Sequence, residues 1–294
     1  MKNQKGLTWE EYRSKYIHNK SDTSVGSITD SKEKEIFNSN KCDVIYVIAM
    51  DDELDHLLSV YSIDTPDYKY LKGIAYIGFQ YKINGNKNIN IAILRAFGKG
   101  LVPTATYVTQ AIIEFNPKVV IMTGICATPK GKAEFGDVIL FDSVYLHDEG
   151  KITPNGLQPD IKTIGITKKV EIICDRLIGH PEIVNQISKK WPERITRREP
   201  LSVKKGLAAS GMAVIADKDS IIEKTSHNRS LIAIDMEAYA VAYCSTHINE
   251  GCDWLVIKSV QDNGDEEKKD LYRHYACFTS AMYSLYFLSE YFSE

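Results

Sequence analysis

The chain has 294 residues, 44% of them hydrophobic and 26% charged, which is the balance of a globular protein long enough to bury a full core. That composition excludes a largely disordered chain, a collagen-like repeat and a disulfide mini-protein. The 36 Lys and Arg against 39 Asp and Glu leave a formal net charge of −3, so no overall basic field marks a nucleic-acid binder.

In chain order, residues 1–41 read as separate from the rest. LTWEEYRSKYIH has the spacing of a short amphipathic helix, and NKSDTSVGSITDS is rich in Ser, Thr, Asp and Gly and reads as linker. This arm is either a loosely ordered tail or a segment that docks on a regulatory protein partner or a neighbouring subunit. The N-terminus lacks the apolar stretch of a secretory signal, and no apolar run approaches the roughly 18 residues that span a bilayer. The expectation is therefore a cytoplasmic protein with no membrane partner.

From Cys42 to residue 294 the pattern is that of one domain. CDVIYVIAM is an apolar run of strand length, and residues 90–95, 118–123, 137–144 and 253–260 read the same way. Helical spacing alternates with them over 104–115, over 236–248 and from about 267. The last segment places Leu271, Tyr275, Phe278, Met282 and Leu285 on one stripe, read as core packing. This alternation predicts a three-layer α/β/α domain around a central mixed, largely parallel sheet, with ligands beyond the carboxyl ends of its strands. Cysteines at 42, 126, 174, 244, 252 and 277 form no C-x-x-C pair and read as reduced core thiols. No H-E-x-x-H or close His/Cys cluster occurs, so neither a metal nor a cofactor is expected. The run 189–205 holds seven Lys or Arg against two Glu; it is a solvated loop or a lip for phosphates.

Four segments place polar groups where a buried strand ends. AMDDELDHL crowds Asp51, Asp52, Glu53 and Asp55 at a helix start, where acidic residues also suit the helix dipole. MTGICATPKGKAEFGDVIL ends a strand at Thr123-Gly124, whose glycine allows close approach to a ligand. Gly98 to Gly100 raises the same possibility, as a cradle of backbone N–H groups for an anion. AIDMEAYAVAY sets Asp235 and Glu237 at the start of an apolar helix. A buried Glu237 needs donors, which sugar hydroxyls or a basic side chain would supply. VIKSVQDNGDEEKKD ends a buried strand at Gln261-Asp262, where Asp262 is either a turn residue or a general acid.

Taken in order, AM-x-x-E, TGICA with FGD at 135–137, SGM followed by IDMEAYAVA, and IKSVQD followed by a YA helix resemble the nucleoside phosphorylase and nucleosidase superfamily. The likeness is strongest to methylthioadenosine/S-adenosylhomocysteine nucleosidases and their bacterial defence-effector relatives, and it spans residues 42–289. The GICATPK loop and the D-x-Y-R-x-Y-A ending at 270–276 point to the latter. The resemblance implies that Glu53 orients the attacking water. It implies that Met236 and Glu237 grip the ribose, and that Asp262 protonates purine N7. It places Gly211 to Ile215, with Met212, Val214 and Ile215, along the base pocket, and Gly98, Gly124, Ile125 and Lys258 around the substrate. Val214 stands where such enzymes often have Phe, Lys258 where many have Arg, and Gln261 where a Ser is common. Ala127 and Thr128 replace a glycine pair. A homo-oligomer is also implied.

The chemistry is coherent on its own terms. Breaking an N-glycosidic bond puts positive charge on the ribose and negative charge on the leaving base. That calls for an acid at the base, a base for water on the opposite sugar face, and an anion that favours the cation. The expected activity is hydrolysis of a purine nucleoside or nucleotide, with adenine as the base. A phosphorylase is the alternative, although the Arg and Ser of those enzymes fall on Met122 and Ile125. A module that binds a nucleotide without cleaving it is the third reading. Arg197 and Arg198 would hold 5′-phosphates.

Overall fold

The computed structural model describes residues 26–28, 41–84, 87–96, 98–154, 156–191, 200–213, 228–264 and 272–293. Apart from residues 26–28, the arm at 1–40, with its expected helix, lies outside them.

The first buried strand forms where the apolar run predicts, with every residue of Val44–Ile48 buried. We label the elements in chain order: β1 (Gly26–Ile28), β2 (Val44–Ile48), α1 (Asp51–Val60), β3 (Tyr68–Leu71), β4 (Ile74–Ile83), β5 (Lys87–Arg95), α2 (Leu101–Phe115) and β6 (Val119–Ala127). There follow β7 (Val138–Leu146), β8 (Gly150–Thr153), β9 (Gly156–Pro159), β10 (Ile164–Gly165), α3 (Lys168–Ile178) and α4 (Pro181–Lys190). The chain ends with β11 (Val203–Ser210), β12 (Leu231–Asp235), α5 (Ala238–Ile248), β13 (Asp253–Asp262) and α6 (Arg273–Tyr291).

The two-residue side-chain period of β2 divides the protein into layers. Val44, Tyr46 and Ile48 enter a core shared with α1, α3, α4 and α6. Ile45 and Val47 enter a second core shared with α2 and α5. The sheet between them is mixed, as the sequence predicts. Parallel pairing holds its centre, where β2 runs beside β5 and β6, β6 beside β13, and β11 beside β7 and β12. Antiparallel pairing governs β1, β3, β4 and β5 at one side and joins β13 to β7 at the other. Because β12 also touches β6 at Ile234 and Ala127, the path β6–β13–β7–β11–β12 closes on itself.

That closure positions the site. The β6–β13 register sets Lys258 opposite Gly124 and Ser259 opposite Ile125. The β11–β12 register sets Asp235 opposite Ser210.

Two elements depart from expectation. The expected 104–115 helix starts earlier, at Leu101, with Pro103 in its first turn, where a missing N–H costs no hydrogen bond. Helix α6 is not a single-striped helix: Tyr275 to Leu285 is buried on every face, because β6, β7 and β13 lie to one side and α1, α3 and α4 surround the rest. Leu271 lies outside the described residues. All six cysteines are unpaired and buried. No helix among the described residues is long and apolar enough to cross a membrane.

Candidate active site

Glu53 is the third residue of α1 and only 2% exposed. Its carboxylate is fixed from three sides. Oε2 accepts the N–H groups of Ala49 and Met50, both at 3.1 Å, and Oε1 accepts that of Ile125 at 3.1 Å. Glu53 therefore serves as the N-terminal clasp of α1 and also ties it to the end of β6. Burial drives its pKa up to about 7; Glu237 adds to this, while Lys258 and the backbone donors pull the other way.

Gly124 is explained by Glu53. Its φ is +149°, and a Cβ there would lie 2.1 Å from Glu53 Oε1. The glycine expected to approach a ligand approaches the protein's own carboxylate instead, and it does not line the cavity. Gly98 to Gly100 tells a similar story. The anion in that cradle is Glu237, whose Oε1 accepts the Gly100 N–H at 2.9 Å. Gly98 lines a neighbouring cavity rather than the main one.

Glu237 lies at the N-cap of α5, 5% exposed. Its Oε2 accepts from Lys258 Nζ at 3.2 Å. Lys258 also pairs with Asp235 at 3.0 Å. Burial works against the ammonium, but Asp235, Glu237 and Glu53 together hold it charged, with its pKa raised above the usual lysine value. Asp235 is the capping group of α5: Oδ2 accepts the N–H of Ala238 at 2.9 Å and of Glu237 at 3.2 Å. Ser210 Oγ donates to Asp235 Oδ1 at 2.6 Å and accepts the Tyr239 N–H at 3.0 Å. Of the two readings of AIDMEAYAVAY, the structure shows the basic-partner one: Asp235 caps the helix, and Glu237 bonds to the buried Lys258.

Asp262 ends β13, 9% exposed. Its Oδ1 accepts the Gly264 N–H at 2.7 Å, so it shapes the turn while its side chain borders the cavity.

These groups surround one cavity of about 300 Å³. Of the residues singled out in the sequence, Glu53, Ile125, Met236, Glu237, Lys258 and Asp262 line it. Met212 does not. Gly211 is packed under His147, where a Cβ would meet Nε2 at 2.0 Å, and the chain then turns outward, leaving Met212 53% exposed. Its neighbour Ala213 lines the cavity in its place. Val214, Ile215, Arg197 and Arg198 lie outside the described residues. The two lysines at the end of the basic run are engaged elsewhere: Lys204 donates to the Lys132 carbonyl at 2.6 Å, and Lys205 pairs with Asp175 at 2.5 Å.

Sequence reasoning missed Ala49, Ile234 and Arg273 as lining residues. Ala49 and Ile234 carry no polar signal. Arg273 lies in the YRHYA ending quoted for the resemblance, which gave a clue to its place. Among the described residues no group of His, Cys, Asp and Glu is arranged to hold a metal ion.

A family model of the phosphorylase superfamily covers residues 43–284. The chain belongs to the phosphorylase superfamily. It is 29% identical over 263 residues to the protein y4jS of Sinorhizobium fredii, covering 87% of this chain and 63% of that protein. It is 26% identical over 191 residues to the 5′-methylthioadenosine/S-adenosylhomocysteine nucleosidase of Actinobacillus succinogenes, covering 65% of this chain and 76% of the enzyme. It is 23% identical over 201 residues to the ATP nucleosidase Cap17 of Escherichia coli (strain KTE188), covering 62% of this chain and 38% of Cap17. The chain therefore spans less than two thirds of y4jS and of Cap17. The structure of futalosine hydrolase of Helicobacter pylori superposes with a TM-score of 0.68 at 19% identity, covering 85% of this chain and 98% of the other. That likeness shows a shared fold.

Proposed function

We propose that this protein hydrolyses the N-glycosidic bond of a purine nucleoside, with adenine as the base. The observation that carries the reading is the convergence of Glu53, Glu237 and Asp262 on one cavity, each held by donors that fix its direction. The Actinobacillus relative is named for methylthioadenosine and S-adenosylhomocysteine, and Cap17 for ATP, which supports adenine.

Glu53 takes the water. Its pKa of about 7 lets it accept a proton near neutral pH. Oε1 spends one acceptor site on Ile125 and keeps capacity for the nucleophile. Glu237 binds the ribose hydroxyls, and its negative charge favours the cationic sugar of the transition state. Lys258 positions Glu237. Asp262 delivers a proton to the leaving base. The C1′–N bond breaks with its electrons going to the base, and the water oxygen bonds to C1′ as its proton passes to Glu53.

Water is favoured over phosphate for a physical reason. A phosphate dianion at this face of the sugar would sit against the Glu53 carboxylate, with apolar Ile125 alongside, while Met122 is sealed in the core and offers no donor. Residues 1–41 act in this reading as a docking arm outside the catalytic domain at 42–294, and the working form is a homo-oligomer.

The test is release of free adenine from adenosine and methylthioadenosine, quantified by chromatography, with Glu237→Gln alongside. The reading requires release by the native chain without added phosphate and a loss of about a hundredfold or more in the variant. Equal release by both would reject it.

A further inference from the structure

A second cavity of about 420 Å³ adjoins the first and shares Ala49, Met50, Lys99 and Arg273 with it. Its chemistry is different. The main cavity sets Glu53, Asp235, Glu237 and Asp262 against Lys258 and the shared Lys99 and Arg273, whereas the second gathers Arg95, Lys99 and Arg273 with Asp51 and Asp52. Three cations against two carboxylates leave it positive.

The cations differ in how they are held. Lys99 is exposed and has no ion pair among the described residues. Arg95 approaches Asp51 through Nε at 2.5 Å, and Arg273 approaches Asp52 through Nε at 2.5 Å. These carboxylates are 75% and 34% exposed on their side chains, so water already screens both pairs, and such pairs are weak. Arg273 donates from Nε to Asp52 and from Nη2 to Met50 Sδ, whereas Arg95 Nε lies beside Asp51 without a hydrogen bond, and a phosphate group recognises such a guanidinium in a fork. Gly98 backs the cavity without a side chain to fill it.

We infer that this annex binds the phosphate of a purine nucleoside 5′-phosphate, so that the substrate class is the nucleotide rather than the free nucleoside. The inference rests on the nucleoside reading of the main cavity. Lys99 and Arg273 stand at the junction, where a substituent leaving the sugar passes from one chamber to the other. Of the basic run at 189–205, Lys204 and Lys205 are bound elsewhere. The opposite sign of the two chambers sorts the substrate's ends: the sugar that becomes cationic lies among carboxylates, and the anionic phosphates lie among cations.

The test uses the full chain. Adenosine, AMP and ATP are titrated into Glu53→Gln, which slows cleavage, with Asp262→Asn as a second background. Lys99→Gln and Arg95→Gln are then added singly. The annex requires AMP and ATP to bind more tightly than adenosine, with the advantage falling about tenfold on loss of either cation and falling as salt rises. In parallel, the native chain is assayed for base release from the same compounds with and without inorganic phosphate. Adenosine and nucleotide binding equally, or an advantage indifferent to both cation variants, would overturn the annex. Phosphate-stimulated adenosine cleavage that Lys99→Gln abolishes would also overturn it, because the annex would then hold the nucleophile. Nucleotide binding that depends on Lys99, without cleavage by the native chain, would uphold the annex and reject the hydrolase reading.

Discussion

Glu53 and Gly124 are a single device made of two residues. The carboxylate is aimed by backbone donors, and the glycine leaves the space it occupies. Gly124→Ala should push Oε1 aside and lower the rate of base release about a hundredfold, a size typical of misplaced catalytic groups. Unfolding by urea should show a smaller change, since the strand remains buried. Equal activity in Gly124→Ala would show that the carboxylate's place does not matter. The pKa of Glu53 gives a second prediction. With the carboxylate as base, kcat/KM should rise with pH and level off above about 7. Lys258 lowers that pKa, so Lys258→Met should move the rise to higher pH. A profile that does not move would detach Lys258 from the catalytic carboxylate. Acids at the ends of apolar strands single out Glu53, Glu237 and Asp262, and the resemblance, not the pattern alone, assigns them to one site. The sequence could not give the role of Gly124, because a glycine close to a ligand and a glycine close to a carboxylate look alike in one dimension.

At the scale of elements, α5 shows how capping and binding share one segment. Asp235 caps the helix, Ser210 on β11 holds Asp235, and Glu237 is thereby turned toward Lys258 and Gly100. Asp235→Ala leaves Lys258 with one buried partner fewer and the Ala238 N–H without its acceptor. It should cost about 3 kcal/mol of stability, measured by urea unfolding. Ser210→Ala removes one neutral donor and should cost about 1 kcal/mol. If both cost the same, the buried lysine does not depend on Asp235. Helix α6 illustrates the limit of reading stripes. Its sequence shows an apolar face, yet the small Ala276, Ala281, Ser280 and Ser284 are buried as well, because small residues let a helix pack on every side. Periodicity reports where large apolar groups lie and is silent on close packing by small ones.

Over the whole molecule, the layered fold was readable because β2, β6 and β13 are continuous apolar runs. The closure of β6, β13, β7, β11 and β12 was not, since it depends on one pairing between Ile234 and Ala127 that carries no local signal. Packing between distant segments also creates the charge states that govern stability. His56 of α1 is buried against His274 and Trp191, and burial, with the neighbouring His274 ring, pushes its pKa down to about 3. A histidine kept neutral in the fold stabilises it above about pH 6.5, and that contribution is lost as pH falls toward 3. Glu53 has the opposite sign: its raised pKa adds stability at low pH that is lost as pH rises through about 7. The two offset each other from about pH 6.5 to 4.5, and below that the histidine term stands alone. The stability gap between the native chain and His56→Asn should therefore shrink by several kcal/mol as pH falls from about 6.5 to 3; a constant gap would contradict it. The central claim is that water, not phosphate, attacks the sugar beside Glu53. The most direct measurement is the mass of the sugar product formed from AMP and adenosine in 18O-labelled water with phosphate present. The account predicts a sugar with a labelled hydroxyl at C1, ribose from adenosine and ribose 5-phosphate from AMP. A sugar 1-phosphate without the label would contradict it.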